Sequence, residues 1–267
     1  MKLVVFTDLD GTLLDHYTYD YRPALPALEQ LKALGAGVVL ASSKTWAEMA
    51  PLHQALGLTD PLIAEGGAGI FVPPAHPLAD QAPCEQLEGG WRVWSVGRKL
   101  EEFADKLEEL KRRHNARGFT DMDTAEIARI TGLSMSQAER AAKRLFSEPV
   151  SVAAQREQAF MAEAEAMGLS ARKGGRFVLV SCGADKGRAT QLLLDYYRRG
   201  HPGIVAVGLG DAPNDEPMLA RVDIPVLLAR ADGGFAPLNL CGLRRISPGG
   251  PQGWNKAIET ILREFRG

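Results

Sequence analysis

The chain has 267 residues, of which 45% are apolar, so it is long enough to bury the core of one large domain or of two smaller ones. Its 31 lysines and arginines nearly balance its 33 aspartates and glutamates, and the net charge of -2 excludes an overall basic field that would collect nucleic acid or anionic membrane. The sequence contains neither a signal-peptide pattern nor a run long enough to span a membrane, so we expect a soluble cytoplasmic protein with a small-molecule partner.

The three cysteines, Cys84, Cys182 and Cys241, are odd in number and far apart in the chain. No C-x-x-C spacing and no adjacent histidine pair suggests a zinc site. We therefore expect three buried thiols in a reducing cytosol.

Short apolar runs rich in β-branched residues alternate with helical patterns along the chain, and they predict strands that are buried on both faces. These runs begin at Leu3, Ala36, Pro61, Gly203 and Ile224. Between the first three of them, "PALPALEQLKALG" and "TWAEMAPLHQALG" carry apolar residues at helical spacing and end at Gly35 and Gly57, where a helix terminus favours glycine. Strands that alternate with helices predict an α/β fold with a doubly wound parallel sheet.

The alternation breaks between about Pro73 and Gly183. This stretch opens with the proline-rich "VPPAHPLADQAP" and contains a charged helical segment, a helix pair and the strand-like "RFVLVS". An insertion of roughly a hundred residues into a doubly wound domain is large enough to form a second small domain. We therefore predict a core formed by residues 1–82 and 184–267, with an inserted α+β domain at 83–183.

Two aspartates, Asp8 and Asp10, follow the first predicted strand in "VVFTDLDGTLLD". Because side chains alternate along a strand, we expect both carboxylates to point the same way at the carboxyl end of the sheet, where open α/β sheets bind ligands. Adjacent carboxylates repel each other and require a cation or a shared proton, and all-oxygen ligands suit Mg²⁺. Aspartate and glycine are also common in turns and caps, so an ordinary turn is the alternative interpretation.

Three further polar segments follow predicted strands or begin helices. In "ASSKT", Ser42 and Ser43 precede a helix, where hydroxyls and free N–H groups can hold a phosphate, although serine there is also an ordinary N-cap. In "GADKGRATQLLL", Lys186 lies in the first turn of a helix, where the helix dipole disfavours a cation unless an anion or solvent compensates it. In "GLGDAPNDEPML", Asp211 and Asp215 belong to an acidic loop that supplies further oxygen ligands for a cation.

The segments "DLDGTLLD", "ASSKT", "DKG" and "GLGDAPNDEPML", in this order, resemble the four motifs of the haloacid dehalogenase-like phosphohydrolases. The resemblance implies a Rossmann-like core that uses Mg²⁺ to hydrolyse phosphomonoesters. It implies that Asp8 is the nucleophile that forms an aspartyl-phosphate, and that Asp10 is the general acid and base.

The resemblance also implies a set of site residues for each task. The catalytic residues are expected to be Asp8, Asp10 and Lys186. The metal ligands are expected to be Asp8, Asp10, Asp211 and Asp215. The groups that hold the phosphate and the rest of the substrate are expected to be Ser42, Ser43, Lys44, Asn214, Lys173 and Arg176.

The insertion resembles the large cap of the sugar-phosphatase branch of this superfamily. Within that branch, "ASSKT" and the cap segments "FTDMDTAEIARITGL", "RLFSEPV" and "GGRFVLVSCGADKG" resemble the mannosyl-3-phosphoglycerate phosphatases, and the similarity covers nearly the whole chain. In "AEGGAGIF", Gly66 replaces the asparagine of the more usual E-N-G-A pattern, so no side-chain contact is expected there. Such a substrate carries a carboxylate, and Lys173, Arg176 and Lys44 are the candidate cations for it, with solvated surface charge as the alternative for each.

Other functions stay open from the sequence. The helix pair at 125–145 resembles a DNA-binding helix-turn-helix, but it lies inside an insertion and the chain has no basic excess. The second helix of the pair carries Gln137, Arg140, Lys143 and Arg144. A signalling receiver domain also uses acidic residues, a serine and a lysine, although it lacks the D-x-D spacing and a cap. A phosphomutase of the same superfamily differs in passing the phosphoryl group to a sugar, and glucosyl and mannosyl substrates are not distinguished.

Overall fold

The structure of the protein, a computed structural model, describes residues 2–174 and 176–265. The first part of the chain forms β1 (Leu3–Thr7), α1 (Leu25–Ala33), β2 (Gly37–Leu40), α2 (Trp46–Ala55), β3 (Leu62–Ala64), β4 (Gly69–Val72), β5 (Cys84–Gln86) and β6 (Arg92–Ser95). The middle part forms α3 (Ala104–His114), β7 (Arg117–Gly118), α4 (Thr124–Thr131), α5 (Met135–Ala142), β8 (Ser147–Ser151), α6 (Glu157–Ala166), β9 (Ser170–Gly174) and β10 (Phe177–Ser181). The last part forms α7 (Lys186–Gly200), β11 (Val205–Gly210), α8 (Glu216–Leu219), β12 (Ile224–Leu228), β13 (Arg244–Ile246) and α9 (Gly250–Glu264).

A five-stranded parallel sheet with strand order β13-β12-β11-β1-β2 forms the centre of the molecule. All five residues of β1 are buried, as its apolar, β-branched run predicts. Val5 packs in one core cluster with side chains of α1 and α9, whereas Val4 and Phe6 pack in a second cluster with side chains of α7 and α8. Helices therefore cover both faces of the sheet, and the predicted doubly wound α/β fold is confirmed.

The third predicted strand leaves the parallel sheet. β3 pairs antiparallel with β4, and among the described residues an isolated bridge between Ala41 and Ile63 is its one strand pairing with the parallel sheet. The turn between the two strands contains Gly67, which has a positive φ of 97° and at which a Cβ would lie 2.2 Å from the backbone nitrogen of Lys186. Glycine is thus required for the β3–β4 turn to lie against the start of α7.

A second sheet with strand order β3-β4-β6-β5 is antiparallel throughout, and the predicted domain boundary at residue 83 falls inside it. The chain enters the inserted part beyond this sheet, where Gly97 lies beside Gly183. A Cβ on Gly97 would lie 2.9 Å from the carbonyl oxygen of Cys182, and one on Gly183 would lie 3.7 Å from the Cα of Gly97. We propose these two neighbouring segments, at Gly97 and Gly183, as the limits of the inserted domain.

The inserted part is built on a third sheet, antiparallel with strand order β7-β8-β10-β9. Side chains of α3 and α6 pack with this sheet in one apolar cluster, and α4 and α5 form a smaller cluster with Phe119 and Phe177. The predicted helix pair is confirmed, because α4 ends at Gly132 with a φ of 79° and α5 begins with a capping box between Ser134 and Gln137.

The prediction of three buried thiols is wrong. Cys84 and Cys182 are half-buried and Cys241 is exposed, because Cys84 lies on the edge strand β5 and Cys241 lies in the loop before β13. None of the described helices combines the length and the apolar composition that a membrane crossing requires.

Candidate active site

Four buried charged residues meet at the carboxyl edge of the parallel sheet. Asp8 follows β1, Asp211 follows β11, Asp215 lies in the turn before α8, and Lys186 begins α7. Their exposed fractions are 7%, 8%, 0% and 4%. One carboxylate oxygen from each of the three aspartates lies within 4.8 Å of the others. The structure thus brings together residues that the sequence places more than 200 positions apart.

Lys186 connects two of these aspartates. Its Nζ donates to Asp8 Oδ1 at 2.8 Å and to Asp215 Oδ1 at 2.6 Å. Burial acts to lower the pKa of this ammonium group, but Asp215 and Asp8 reverse that effect and raise its pKa overall. Asp185 fixes the start of the helix by accepting from the N–H groups of Gly187 and Arg188. Asp8 and Asp215 are thus the anions that a lysine in the first turn of a helix requires.

The two aspartates of the acidic loop are oriented by local contacts. Asp215 Oδ2 accepts from the backbone N–H groups of Asp211 at 3.0 Å and Ala212 at 3.1 Å. Thr12 Oγ1 donates to Asp211 Oδ1 at 3.1 Å. Gly11 has a φ of 82°, and a Cβ there would lie 2.6 Å from Asp211 Oδ2. The glycine and threonine after the D-x-D motif therefore make room for Asp211 and hold it.

The charges of this cluster do not balance. When all groups are ionised, Asp8, Asp211 and Asp215 carry three negative charges against the single positive charge of Lys186. Burial, followed by Asp215, raises the pKa of Asp8 well above its usual range, and the same two causes raise the pKa of Asp211 to about 6. A divalent cation offsets two negative charges, and three clustered carboxylates supply the oxygen ligands that Mg²⁺ prefers. The residues of this site fit such an ion.

The structure does not bring the Asp10 carboxylate into this cluster. Asp10 Oδ2 lies 2.9 Å from Lys44 Nζ, and Oδ1 is buried without a hydrogen-bond partner among the described residues. Strand alternation fails here because β1 ends at Thr7 and the chain turns, with the N–H group of Thr12 donating to the carbonyl oxygen of Leu9. The predicted four-aspartate ligand set is therefore reduced to three carboxylates.

Lys44 is held between Asp10 and the nearby loop that carries Tyr19. Its Nζ lies 5.1 Å from the centre of the Tyr19 ring, in addition to its ion pair with Asp10. Burial acts to lower the pKa of Lys44, but Asp10 and then Glu48 raise it overall. Lys44 therefore remains a cation beside Asp10.

The serines of "ASSKT" are not helix caps. Thr45 is the N-cap of α2 and forms a capping box with Glu48. Ser42 is buried, donates its N–H group to the carbonyl oxygen of Ile63 at 2.9 Å and accepts from the N–H group of Lys44 at 3.2 Å. Ser43 is exposed. The cap alternative for both serines is thus removed, and we call the segment 42–44 the phosphate loop, after the role that the sequence analysis predicts for it.

A cavity of about 730 Å³ lies between the parallel-sheet core and the inserted domain. Its lining includes Lys186, Ser43 and Asn214 from the core. The inserted domain supplies three cations and several apolar side chains: Arg144, Arg172, Lys173, Phe119, Leu133, Phe177 and Leu179. The cavity thus combines a basic wall with apolar surface beside the carboxylate cluster.

The two cations predicted from the cap sequence differ in position. Lys173 lines the cavity and also pairs with Glu157. Arg176 is exposed, donates to the carbonyl oxygen of Ile130 at 2.6 Å, and is not among the described residues that line the cavity. It directly precedes β10, and its bond to Ile130 holds the side chain against α4.

Comparisons with known proteins agree with this geometry. A family model described as haloacid dehalogenase-like hydrolase matches residues 5–81. Over 266 residues, the chain is 38% identical to a glucosyl-3-phosphoglycerate/mannosyl-3-phosphoglycerate phosphatase from Persephonella marina, and the alignment covers 98% of each chain. The chain belongs to the haloacid dehalogenase-like hydrolases. Because this relative is named as a phosphatase, the present chain is a phosphoric monoester hydrolase, and the receiver-domain alternative is excluded.

Two further comparisons support the family assignment. A phosphatase of the same name from Methanococcoides burtonii is 35% identical over 268 residues, with 98% of each chain covered. A solved phosphatase of the superfamily from Bacteroides thetaiotaomicron superposes with a TM-score of 0.67 over 98% of this chain and 96% of that chain. Its sequence is 22% identical, so this likeness concerns the fold.

Three residues of the site region of this hydrolase were missed by the sequence analysis. Glu65 directly follows the buried strand β3, and an acidic residue at the end of a buried strand could have been recognised as a candidate site residue. Arg172 is adjacent to the predicted Lys173 on β9, and both residues line the cavity. Arg144 was considered only within the DNA-binding alternative, because no local signal distinguishes a cation that faces the core from one that faces solvent.

Binding of Mg²⁺ at the carboxylate cluster should have a pH-dependent effect on the stability of this hydrolase. In the metal-free protein, Asp8 and Asp211 have raised pKa values, so the folded state binds more protons than the unfolded chain. The free energy of unfolding should therefore fall as the pH rises from about 4 to about 6, by about 3 kcal/mol for Asp211 alone. Added Mg²⁺ should then raise the unfolding temperature more at about pH 7 than at about pH 4.5.

Thermal unfolding of the chelator-treated protein at the two pH values, with and without MgCl₂, measures this effect. The variant Asp211→Asn should weaken the pH dependence. The same substitution at Asp195, an exposed residue of α7, serves as the matched control and should leave it unchanged. An equal Mg²⁺ effect at both pH values would contradict the role of the cluster.

Proposed function

We propose that the protein is a Mg²⁺-dependent phosphatase that hydrolyses mannosyl-3-phosphoglycerate, and its glucosyl analogue, to the glycosylglycerate and phosphate. One observation carries the proposal: Lys186, which contacts Asp8 and Asp215, lines a cavity to which the inserted domain adds three more cations. The names of the two full-length relatives support the same class of substrate.

Asp8 is the proposed nucleophile. One of its carboxylate oxygens forms a bond to phosphorus while the bond between phosphorus and the glycerate oxygen breaks, and water later cleaves the aspartyl-phosphate. The hydrogen bond from its backbone N–H to the carbonyl oxygen of Leu209, at 2.9 Å, fixes Asp8 against β11. Lys186 orients the carboxylate and neutralises charge on the phosphoryl oxygens. Asp8, Asp211 and Asp215 would hold Mg²⁺, which reduces the repulsion between the nucleophile and the anionic phosphate when it is bound.

Asp10 is the proposed general acid and base. It protonates the departing glycerate oxygen and then accepts a proton from the attacking water. Its distance from the carboxylate cluster is consistent with this task, because an acid for the leaving group must lie on the leaving-group side of phosphorus. Lys44 keeps the Asp10 side chain in place through their 2.9 Å contact.

The cavity supports a leaving group that is both anionic and partly apolar. We assign the phosphate to Lys186 and the phosphate loop, and the glycerate carboxylate to the positive charge of Arg144, Arg172 and Lys173, which line the cavity. Phe119 and Phe177 offer an apolar surface to a sugar ring. The cavity volume of about 730 Å³ lies within the usual range for small-molecule sites.

The helix pair fits the cap of a phosphatase better than a DNA-binding unit. Thr45 Oγ1 at the start of α2 donates to the carbonyl oxygen of Arg140, at 2.9 Å, so α5 docks on the core. Arg144 donates to the carbonyl oxygen of Ser43, and Lys143 pairs with Glu88. Two of the cations that would contact DNA are thus engaged by groups of the protein.

The substrate proposal predicts an order of catalytic efficiencies. With Mg²⁺, kcat/KM should be highest for mannosyl-3-phosphoglycerate or its glucosyl analogue. It should be lower by at least tenfold, about 1.4 kcal/mol in transition-state binding, for 3-phosphoglycerate, sucrose 6-phosphate and mannose 6-phosphate. The reason is that binding energy from the sugar and the carboxylate is used at the reacting phosphate.

Release of inorganic phosphate from the purified protein measures this order. A preference for sucrose 6-phosphate or for a simple hexose phosphate would overturn the substrate assignment. It would not affect the roles proposed for the catalytic residues. Transfer of the phosphoryl group to a second position of the sugar, in place of phosphate release, would indicate the phosphomutase alternative.

A further inference from the structure

Glu65 is a buried carboxylate in a strained part of the backbone. It follows β3, is only 1% exposed and has a φ of 51°, a region that favours glycine. Strained, buried and charged residues persist where surrounding contacts compensate their cost, and they concentrate at functional sites. The contacts of Glu65 therefore indicate its role.

All the hydrogen bonds that the Glu65 carboxylate accepts in the described structure come from the inserted domain. Its Oε1 accepts from the N–H group of Leu145 at 3.0 Å. Its Oε2 accepts from the N–H group of Phe146 at 3.0 Å and from Ser147 Oγ at 2.7 Å. A core residue thus binds three consecutive residues of the cap through a charged group, and such hydrogen bonds are stronger than those between neutral groups.

The backbone of the same turn binds the phosphate loop. The N–H group of Glu65 donates to the carbonyl oxygen of Lys44 at 2.9 Å, and the N–H group of Gly66 donates to the carbonyl oxygen of Ser42 at 3.0 Å. The turn at Glu65 therefore contacts the phosphate loop with its backbone and the cap with its side chain.

The cap segment held by Glu65 is continuous with Arg144. The Nη1 of Arg144 donates to the carbonyl oxygen of Ser43 at 3.1 Å and to Ser147 Oγ at 3.0 Å. The Ser147 hydroxyl thus accepts from Arg144 and donates to Glu65, which links the two charged side chains through one atom. The Nη2 of Arg144 lies 3.9 Å from Glu48 Oε2, a looser contact than those of Nη1. Arg144 also lines the cavity.

We propose that Glu65 is a positioning residue that fixes Arg144, through Ser147 and the backbone of 145–146, so that its Nη2 binds the anionic group of the leaving portion of the substrate. This inference rests on the proposed function, which requires a carboxylate on that portion. Because Glu65 also holds the phosphate loop, it sets the distance between the phosphate and the carboxylate that the site accepts. The residue therefore determines specificity without contacting the substrate.

A double-mutant cycle tests this inference. The variants are Glu65→Gln, Arg144→Met and the combination of both, measured with 3-phosphoglycerate and with p-nitrophenyl phosphate, which lacks a carboxylate. In Glu65→Gln the amide nitrogen cannot accept, so part of the cap segment loses its partner. Each single variant should raise KM for 3-phosphoglycerate by about tenfold or more, the size of a lost charged contact, and should raise KM for p-nitrophenyl phosphate much less.

The two residues should behave as one unit. The double variant should match Arg144→Met alone within about twofold in kcat/KM for 3-phosphoglycerate, because Glu65 acts through Arg144. The proposal would be overturned if the loss of kcat/KM in the double variant equalled the product of the two single-variant losses. It would also be overturned if KM rose equally for the two substrates. A merely structural role of Glu65 would give that second outcome.

Two further variants complete the experiment. Glu139→Gln makes the same substitution at an exposed position of α5 and should leave both KM values unchanged. If Glu65→Gln fails to fold, Ser147→Ala removes the shared hydroxyl alone and should raise KM selectively for 3-phosphoglycerate, and an unselective change would count against the proposal. A preference of the wild type for a hexose phosphate would contradict the proposed function and not the role of Glu65. In that case the double-mutant cycle, repeated with the hexose phosphate, still reports whether Glu65 and Arg144 act together.

Discussion

The variant Asp8→Asn is expected to lose at least about a thousandfold in kcat, as removal of a nucleophile does in other enzymes. The amide keeps the shape of the side chain but has no carboxylate oxygen that can form the aspartyl-phosphate. The fold should persist, because Lys186 keeps its 2.6 Å contact with Asp215. In the absence of metal, the loss of one of three clustered negative charges should make the variant at least as stable as the wild type.

Phosphate release and thermal unfolding, both measured on purified protein, separate these two effects. Asp195→Asn is the matched control and should keep wild-type activity, since Asp195 is exposed and contacts only Gln191 among its described side-chain partners. An Asp8→Asn protein that retained a tenth of the wild-type kcat would exclude Asp8 as the nucleophile.

The variant Asp10→Asn is expected to lower kcat for a glycosyl phosphoglycerate by about a hundredfold to ten-thousandfold, the usual contribution of general acid and base catalysis. The glycerate oxygen is a poor leaving group and requires a proton from Asp10. p-Nitrophenolate leaves without one, so the first step with p-nitrophenyl phosphate should remain fast. The second step still lacks its base, so the aspartyl-phosphate should accumulate.

A rapid-mixing experiment detects this accumulation. With excess p-nitrophenyl phosphate, Asp10→Asn should release a burst of p-nitrophenol close to the enzyme concentration, followed by slow turnover. The wild type serves as the reference, and Asp195→Asn should resemble it. The absence of a burst, together with equal losses for both substrates, would show that Asp10 has a role other than proton transfer.

Short-range patterns in the sequence were sufficient for most of the fold. Burial on both faces of β1, the glycine after α4 and the capping box of α5 depend on residues that are neighbours in the chain, so they can be recognised before any tertiary contact is known. The cluster of three carboxylates with Lys186 was predictable for a related reason. Asp8, Lys186, Asp211 and Asp215 each follow a strand or begin a helix, and parallel strands end at the same edge of a sheet.

Other features depend on how distant segments pack. β3 leaves the parallel sheet because β4 offers it an antiparallel partner, and the predicted boundary at residue 83 falls inside the sheet that these strands form with β6 and β5. Asp10 departs from strand alternation because the chain turns after Thr7, and Lys44 then neutralises it. No local pattern reports a partner 34 residues away.

The cations of the cap show most clearly the difference between what local sequence patterns predict and what tertiary packing decides. Arg144, Arg172, Lys173 and Arg176 are all basic residues in polar segments, and composition cannot distinguish a solvated cation from one that lines a cavity. The docking of α5 on α2 and the hydrogen bonds from the cap to Glu65 decide that Arg144 faces the site, while the bond from Arg176 to Ile130 holds that residue elsewhere. The residues of the carboxylate cluster are thus encoded in short motifs, whereas the lining of the cavity arises when the cap packs on the core, because only packing sets distances between residues far apart in the chain.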